Sequence, residues 1–360
     1  MNNRKILKTT AILGVMAASV LTLVSLSSAQ NTAAQPGVIT TRSHVFTPVA
    51  EGIYHVNGTG AVNLTSNAML IEGAHDLLVV DSHVSPNAGL ALLESIKSVS
   101  SKPVRYLINT HYHFDHTHGN QVFPQEVEII GHRYTRDRLS GEFGNVLEES
   151  TFLSFTEGVP GQLAALRMQL DQSTDAEERA RLQSQLATQQ AHLNSVADIE
   201  PTPPNITIED SMTIYQAVPG GGREIQILHL GRGHTGGDVV VFLPDEKIVH
   251  AGDMVGRNLI YMGDAYLNEW PQALERLKAL DFEILLSGHG PVVNGKERIE
   301  AFQAYQRDLW TRTEALQQQG LTAEQAAEQI DMTDHSDSYP QIRGAGADVR
   351  AIRRVYSLLD

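Results

Sequence analysis

The sequence predicts an α/β protein, and three observations support this prediction. Short apolar runs of strand length recur along the chain, amphipathic helical segments separate several of them, and glycine-rich turns follow many of the runs. Strands that alternate with helices are typical of a sheet covered by helices. The 360 residues are ample for one large domain with insertions, or for two domains.

The first half opens with an antiparallel pattern and continues as a βαβ unit. Apolar runs at 53–56, 68–71 and 77–80 are separated by Gly and Asn turns, which predicts antiparallel strands. Residues 87–99 carry leucine and isoleucine at helical spacing, and 103–109 form a largely apolar stretch of strand length. We therefore expect a strand, a helix and a further strand in that order.

A helical hairpin is predicted to interrupt the sheet at residues 161–197. Leu163, Leu166 and Leu170 mark a first helix, and a capping box, Thr-Asp-Ala-Glu at 174–177, marks the start of a second. The stretch is rich in Gln, Ala, Arg and Glu, so its outer face is expected to be solvated. We interpret the hairpin as a packing or oligomer element, with a substrate lid as the alternative.

The second half again alternates predicted strands and helices, and it ends in a helical tail. Residues 225–228 and 239–243 are predicted strands, and 270–280 are a predicted helix. The main domain is expected over 44–300, followed by a C-terminal helical extension over 301–360. The amphipathic helices of this extension would cover the sheet or a subunit interface.

The N-terminal residues have the layout of a secretory signal peptide. A basic start precedes an apolar run over 11–26 and a small-residue cleavage site at 27–29. We expect residues 1–29 to be removed, 30–43 to form a flexible leader, and the protein to be periplasmic or secreted. An uncleaved anchor is the alternative. After removal of the signal, no stretch is apolar and long enough for a stable membrane span.

Composition limits the partners of this protein. The net charge is −15, which disfavours nucleic acid and anionic membranes as partners. The chain has no cysteine, so disulfides do not contribute even in an oxidising compartment. We expect a small-molecule substrate, and the helical elements could support a homo-oligomer.

The most informative motif, His-x-His-x-Asp-His, directly follows the second strand of the βαβ unit. Its four metal-capable side chains are His111, His113, Asp115 and His116. Imidazole and carboxylate are ligands that zinc and other borderline metals prefer. Four ligands this close in the chain do not all fit one ion. We therefore expect His111 and His113 to share one metal, and Asp115 and His116 to bind a second.

Three further candidates lie at the ends of other predicted strands. His234, Asp253 and His289 each lie among or after glycines, which let the backbone turn sharply and approach an ion closely. Together with the motif they predict a site for two divalent metal ions. Zinc fits this ligand set best, and iron or manganese is feasible.

On these motifs the chain resembles the metallo-β-lactamase fold superfamily over roughly residues 44–300. The resemblance implies an αββα four-layer sandwich. It implies that the first metal is bound by three histidines: His111, His113 and His234. It implies that the second is bound by Asp115, His116 and His289, with Asp253 bridging both. Asp81 resembles an acid that orients a ligand, and a plain strand terminator is the alternative.

The scaffold also resembles the zinc β-lactamases that use a cysteine on the second metal, and it departs from them at three positions. Asp253 stands where that subclass has its cysteine, and His116 is an added ligand. Gly256 stands where that subclass has a lysine that holds the lactam carboxylate. The neighbouring Arg257 is a candidate replacement, because arginine can bind a carboxylate bidentately.

We therefore expect a metal-dependent hydrolase that cleaves an acyl bond of an amide, ester, lactone or thioester with a metal-activated hydroxide. Asp115 is the expected catalytic residue, orienting the hydroxide and carrying its proton. A true β-lactamase is one alternative, and the three departures place it second. A non-hydrolytic periplasmic metal-binding or redox protein is another. The related diiron oxygen reductases have glutamate at the position of His113, which argues against a redox role.

Overall fold

The computed structural model describes residues 37–359, which form two β-sheets covered by α-helices. The predicted signal peptide and the first part of the predicted leader lie outside the described residues. The described strands are β1 (Ile39–Thr40), β2 (His44–Ala50), β3 (Ile53–Gly58), β4 (Ala68–Glu72), β5 (Leu77–Val80), β6 (Val104–Ile108), β7 (Glu128–His132), β8 (Ile206–Ile208), β9 (Ser211–Val218), β10 (Gly221–Leu228), β11 (Val240–Leu243), β12 (Ile248–His250), β13 (Ile284–Leu286) and β14 (Val293–Asn294).

Helices connect and cover these strands. The described α-helices are α1 (Pro86–Ile96), α2 (Phe114–Thr117), α3 (Arg133–Leu139), α4 (Ser150–Gln172), α5 (Ala176–Val196), α6 (Trp270–Ala279), α7 (Glu297–Gln318), α8 (Ala323–Gln329) and α9 (Val349–Leu359). None of the helices in this part of the chain is long and apolar enough to cross a membrane.

Each sheet contains a parallel pair of strands, and this determines where a site can form. β1 to β8 lie in chain order in the first sheet, and the order in the second is β14-β13-β12-β11-β10-β9. β5 pairs in parallel with β6, and β12 pairs in parallel with β13. Parallel neighbours end at the same edge of a sheet, so the loops that follow each pair lie side by side.

The core lies between the two sheets, and the alternation of side chains along each strand produces it. In β5, Leu78 and Val80 face the second sheet, whereas Leu77 and Val79 face α1. Helices α6 to α9 cover the outer face of the second sheet. Each fully buried aliphatic side chain contributes about 1.5–3 kcal/mol. The predicted αββα four-layer sandwich is confirmed.

The inserted hairpin is present, but its first helix is longer than the sequence predicts. α4 begins at Ser150 rather than at residue 161, and Pro160 lies inside it. A proline removes one N–H from the helical ladder, so the segment around it resembles a helix boundary in the sequence. The N-cap of α5 is Asp175, one residue later than the predicted capping box, and its side chain accepts the N–H of Glu178.

The hairpin is tied to the first sheet through α1. The hydroxyl of Ser195, near the end of α5, accepts the N–H of Asn87 at 2.9 Å. This contact fixes α5 beside the N-terminal turn of α1, so the hairpin packs on the outer layer of the first sheet. In the C-terminal tail, α8 begins with a capping box between Thr322 and Gln325.

Candidate metal centre

The predicted metal-binding residues lie where strands of the two sheets end. Asp81 follows β5, the motif at 111–116 follows β6, Asp253 follows β12 and His289 follows β13. His234 lies in the glycine-rich loop between β10 and β11. The structure therefore brings side chains from both halves of the chain to one edge of the sandwich.

Three histidines form a first group: His111, His113 and His234, whose ligand atoms lie within 4.8 Å of one another. Nε2 of His234 lies 2.8 Å from Nδ1 of His113. Nδ1 of His111 lies 3.0 Å from the hydroxyl oxygen of Thr110, so its Nε2 is free to face the group. Three convergent imidazole nitrogens suit one zinc-like ion.

A second group contains Asp115, His116 and His289, again with ligand atoms within 4.8 Å of one another. Oδ2 of Asp115 lies 3.2 Å from Nε2 of His289 and 3.7 Å from Nε2 of His116. The side chain of His289 is 41% exposed, whereas that of His116 is fully buried. This group is therefore open to solvent on the side of His289.

Asp253 lies between the two groups. Its Oδ2 is 3.2 Å from Nε2 of His289 and 3.7 Å from Nε2 of His234, and its Oδ1 is 3.5 Å from Nε2 of His116. A carboxylate with one oxygen near each group can bridge two ions. The geometry fits the bridging role that the family resemblance implies.

Asp264 contacts the centre, although the sequence did not identify it as a site residue. Its Oδ2 lies 3.2 Å from Nε2 of His113, which leaves Nδ1 of that ring facing His234. A carboxylate on the outer nitrogen of an imidazole sets its orientation and tautomer. Nothing local in the sequence connects Asp264 to His113, which lies 151 positions earlier.

Two features of the loops hold the ligands in place. The N–H and hydroxyl of Thr235 donate to the carboxylate of Asp238 at 2.9 Å and 2.7 Å, which orders the loop that carries His234. Burial raises the pKa of Asp238 to about 7. Gly288 allows the loop after β13 to approach the motif, because a Cβ at that position would lie 2.6 Å from Cε1 of His116.

The electrostatics differ between the two groups. Burial lowers the pKa of His234 to about 3 and also lowers that of His111 well below its ordinary value, so both rings are neutral. Burial also opposes charge on His116, but the carboxylates of Asp115, Asp253 and Asp81 outweigh it and raise the pKa of His116 to about 9. The second group therefore holds protons that a metal would displace.

Several ligand atoms at the centre lack hydrogen-bond partners among the described residues, as expected of atoms that bind metal ions. Nε2 of His111, Nε2 of His116 and Oδ1 of Asp253 are buried and find no hydrogen-bond partner within residues 37–359. Buried polar atoms are nearly always satisfied, so three such atoms facing one point need an explanation. Divalent ions bound by imidazole and carboxylate would satisfy all three.

The hairpin reaches the rim of the first group. The hydroxyls of Thr151, in the first turn of α4, and Tyr261 lie 3.0 Å apart. The ring of Tyr261 lies 5.9 Å from that of His113. Phe152 packs edge-on against His118, with ring centroids 5.1 Å apart. The start of α4 therefore lies beside the metal-binding motif, a contact that helical periodicity alone does not predict.

Arg257 is exposed beside the loop that carries His289. A Cβ placed on Gly290 would lie 3.4 Å from Cβ of Arg257. The carbonyl of Gly256, which stands in place of the lactamase lysine, accepts a hydrogen bond from Nε of Arg298 at 3.1 Å. Arg257 thus flanks the open side of the centre, and its role in substrate binding stays a prediction.

A four-layer αββα sandwich with histidine and aspartate side chains gathered at one edge defines a class of metal-binding proteins. Within that class, the chain belongs to the metallo-beta-lactamase superfamily, whose family model matches residues 62–289. The matched segment spans the motif and ends at His289.

Relatives of two kinds match this chain. A linear primary-alkylsulfatase from Pseudomonas sp. is 24% identical over 80% of this chain and 54% of its own length. A metallo-beta-lactamase type 2 from Elizabethkingia meningoseptica is 31% identical, over 19% of this chain and 30% of its own length. The chain therefore spans about half the length of the alkylsulfatase, and its match to the lactamase is short.

Solved structures show the same two kinds. The stereoselective inverting sec-alkylsulfatase Pisa1 from Pseudomonas sp. matches with a TM-score of 0.59 and 18% identity, over 87% of this chain and 50% of that one. A metallo-beta-lactamase from Pontibacter korlensis matches with a TM-score of 0.50 and 18% identity, over 73% of this chain and 99% of that one. At these identities the likeness shows the fold.

Proposed function

We propose that this protein is a dinuclear metal-dependent hydrolase that cleaves an acyl bond of an ester, lactone, amide or thioester. The observation that carries the proposal is the position of Asp253, within 3.7 Å of both His234 and His289. That position joins a three-histidine group to a second group that is open to solvent. Zinc is the proposed metal, since imidazole and carboxylate ligands suit it.

The chain's own residues can bind and orient the reactants. Two divalent ions, when bound, would activate water near neutral pH and polarise the scissile group. Oδ2 of Asp115 faces the open side of the centre, where it can orient the attacking water and accept its proton. The carboxylate of Asp264 binds Nε2 of His113, and that of Asp81 binds Nδ1 of His116, which orients both rings.

The rim favours a neutral or weakly charged substrate over a β-lactam. Asp264 has a side chain that is 32% exposed and adds negative charge beside His113. Gly256 stands in place of the lactamase lysine, and the exposed Arg257 lies beside the loop that carries His289. A substrate carboxylate would therefore meet an exposed arginine and a nearby carboxylate, which is a poor anchor.

Hydrolysis of an alkyl sulfate ester is a second candidate. A relative that aligns over 80% of this chain is named as an alkylsulfatase, and the structure of another alkylsulfatase matches 87% of it. A sulfate ester also presents an oxyanion to two cations. The chain spans only about half the length of either protein, so this activity ranks below acyl hydrolysis.

A matched substrate panel tests both candidates. Zinc-loaded protein is assayed on an aryl acetate, a lactone, a cephalosporin and an alkyl sulfate of similar chain length. We expect the highest kcat/KM on the ester or lactone, and loss of that rate in His113→Ala. His335→Ala is the matched control, because His335 binds Asp308 in the C-terminal tail. A preference for the alkyl sulfate would overturn the acyl assignment, and no turnover of any substrate would overturn both.

Export is part of the same proposal. The basic start, apolar run and small-residue site of residues 1–29 support it. Expression of the full chain in a Gram-negative host, followed by fractionation and N-terminal mass spectrometry, tests it. We expect a periplasmic or secreted product that begins at Gln30, and a cytoplasmic product that retains residue 1 would contradict export.

A further inference from the structure

A short buried segment connects the two halves of the metal centre. Ser66 and Asn67 immediately precede β4 in the first sheet, and they are 4% and 7% exposed. The preceding residue, Thr65, has a left-handed backbone with φ +64°. A non-glycine residue in that region is uncommon and strained, so surrounding contacts must hold the turn.

Asn67 binds the loop that carries His289. Its backbone N–H donates to the carbonyl of Gly288 at 2.7 Å. Its side-chain Nδ2 donates to the carbonyls of Ser287 and Gly290 at 3.0 Å and 2.7 Å. Three hydrogen bonds from one residue thus hold the backbone on both sides of His289.

Ser66 binds the short helix α2, which carries Asp115. Its hydroxyl donates to the backbone carbonyl of Asp115 at 2.5 Å. The same hydroxyl oxygen lies 3.2 Å from Nδ1 of His83, a buried ring whose backbone is also left-handed, with φ +69°. His83 thereby orients the Ser66 hydroxyl towards the carbonyl of Asp115.

We infer that Ser66 and Asn67 are positioning residues that set the separation of Asp115 and His289, and hence the affinity of the second metal position. The inference rests on the proposed two-metal site. Oδ2 of Asp115 and Nε2 of His289 lie 3.2 Å apart, yet Asp115 follows β6 of the first sheet and His289 follows β13 of the second. Because Ser66 and Asn67 are adjacent and bind the segments that carry Asp115 and His289, respectively, they control that distance. The first group, built from His111, His113 and His234, lacks these contacts among the described residues.

Gln216 provides a matched control for a tie that only stabilises the fold. It is 6% exposed, and its side-chain amide donates to the carboxylate of Asp76 at 3.1 Å. It therefore also joins the two sheets through a buried amide. Asp76 lies between β4 and β5, at the opposite end of β5 from Asp81.

Cobalt titration of the metal-free protein, followed by visible absorption, separates the two metal positions. The variants are Asn67→Ala, Asn67→Asp, Ser66→Ala and Gln216→Ala. Asn67→Asp keeps the shape of the side chain but loses the two N–H groups of Nδ2. Loss of a partner that orients a metal ligand typically weakens metal affinity by about 10–100-fold. In the three variants of Asn67 and Ser66, we expect this weaker affinity for the second cobalt equivalent and an unchanged affinity for the first. In Gln216→Ala we expect both affinities to be unchanged.

Each other outcome overturns the inference. Unchanged affinities in Asn67→Asp and Ser66→Ala, with two equivalents bound by the parent protein, would refute the positioning role and leave the two-metal site intact. Equal weakening of both equivalents would indicate a general structural effect. A parent protein that binds one equivalent would refute the two-metal site itself. If Asn67→Ala fails to fold, Ser66→Ala must still show the selective loss.

Discussion

Nδ1 of His116 lies 2.7 Å from Oδ2 of Asp81, and both side chains are fully buried. Thr110 donates its N–H and its hydroxyl to the same carboxylate, each at 2.8 Å. These three contacts fix the His116 ring so that its Nε2 faces Asp115 and Asp253. Asp81 also has a left-handed backbone, with φ +63°. Such a set of contacts favours an orienting role over that of a plain strand terminator.

The first prediction concerns Asp81→Asn. Replacing the carboxylate removes a negative charge beside His116, so the pKa of that ring should fall and its ligand geometry should loosen. We expect about 10–100-fold weaker binding of the second metal, with the first unchanged. Isothermal titration with zinc measures both steps. Equal loss at the two steps, or no loss, would contradict this role for Asp81.

A second prediction concerns Asp115→Asn. If Asp115 orients the attacking water and accepts its proton, kcat should fall by about 10²–10⁴-fold. The asparagine retains an oxygen that can bind a metal, so metal content and thermal stability should change far less than kcat. Steady-state kinetics on the best substrate, with elemental analysis of the same sample, makes the comparison. Near-full turnover in a fully metallated variant would remove Asp115 from the mechanism.

The third prediction concerns the pH dependence of stability in the metal-free protein. The pKa of His116 is raised from 6.5 to about 9 in the folded state, so its favourable contacts are fully present below pH 6.5 and are lost as pH rises through about 9. The free energy of unfolding should therefore fall between about pH 6.5 and 9. Asp238, with a pKa of about 7, has already titrated over most of that window.

Urea unfolding of chelator-treated protein tests this pH dependence. The His116→Gln variant should show a flatter profile across the same window, because its side chain does not titrate. A parent profile that is level or rises with pH would contradict the assigned charge state of His116.

A fourth prediction concerns β-lactams and Arg257. We expect weak lactamase activity at most, because Gly256 replaces the lysine and Asp253 replaces the cysteine. Dedicated enzymes reach kcat/KM values of about 10⁵ M⁻¹s⁻¹ or more. A value in that range for a cephalosporin would show that ranking β-lactamase activity below acyl hydrolysis is wrong. In that event Arg257→Ala should raise KM for the lactam and leave ester KM unchanged.

The short apolar runs bounded by turns predicted the α/β class, and the family resemblance implied the αββα sandwich. β5 and β12 are fully buried, β6 and β13 are buried at their C-terminal ends, and the predicted ligands follow these ends. Edge and polar strands were not predicted. In β9, exposed residues alternate with partly buried ones, and its pairing with β10 depends on a hairpin whose polar residues resemble a loop.

The ligand set was predictable because the motif at 111–116 directly follows an apolar strand, and His234, Asp253 and His289 lie in glycine-containing turns. Asp264 and Asn67 were not, since their roles depend on contacts between distant segments. Asn67 reaches carbonyls more than 200 positions away. α9 was also missed: arginines interrupt its apolar residues, and only packing against α7 and α8 shows which face is buried.

Metal content tests the central claim most directly. The chain, expressed without residues 1–29, is stripped with chelator, reloaded with excess zinc, desalted and analysed for metal and protein. The account predicts two equivalents per chain, because the three-histidine group and the Asp115 group each offer three ligands and share Asp253. The Asp253→Ala variant should retain the first equivalent and lose the second. A parent protein that holds at one equivalent under zinc excess would contradict the dinuclear centre on which the proposed hydrolysis depends.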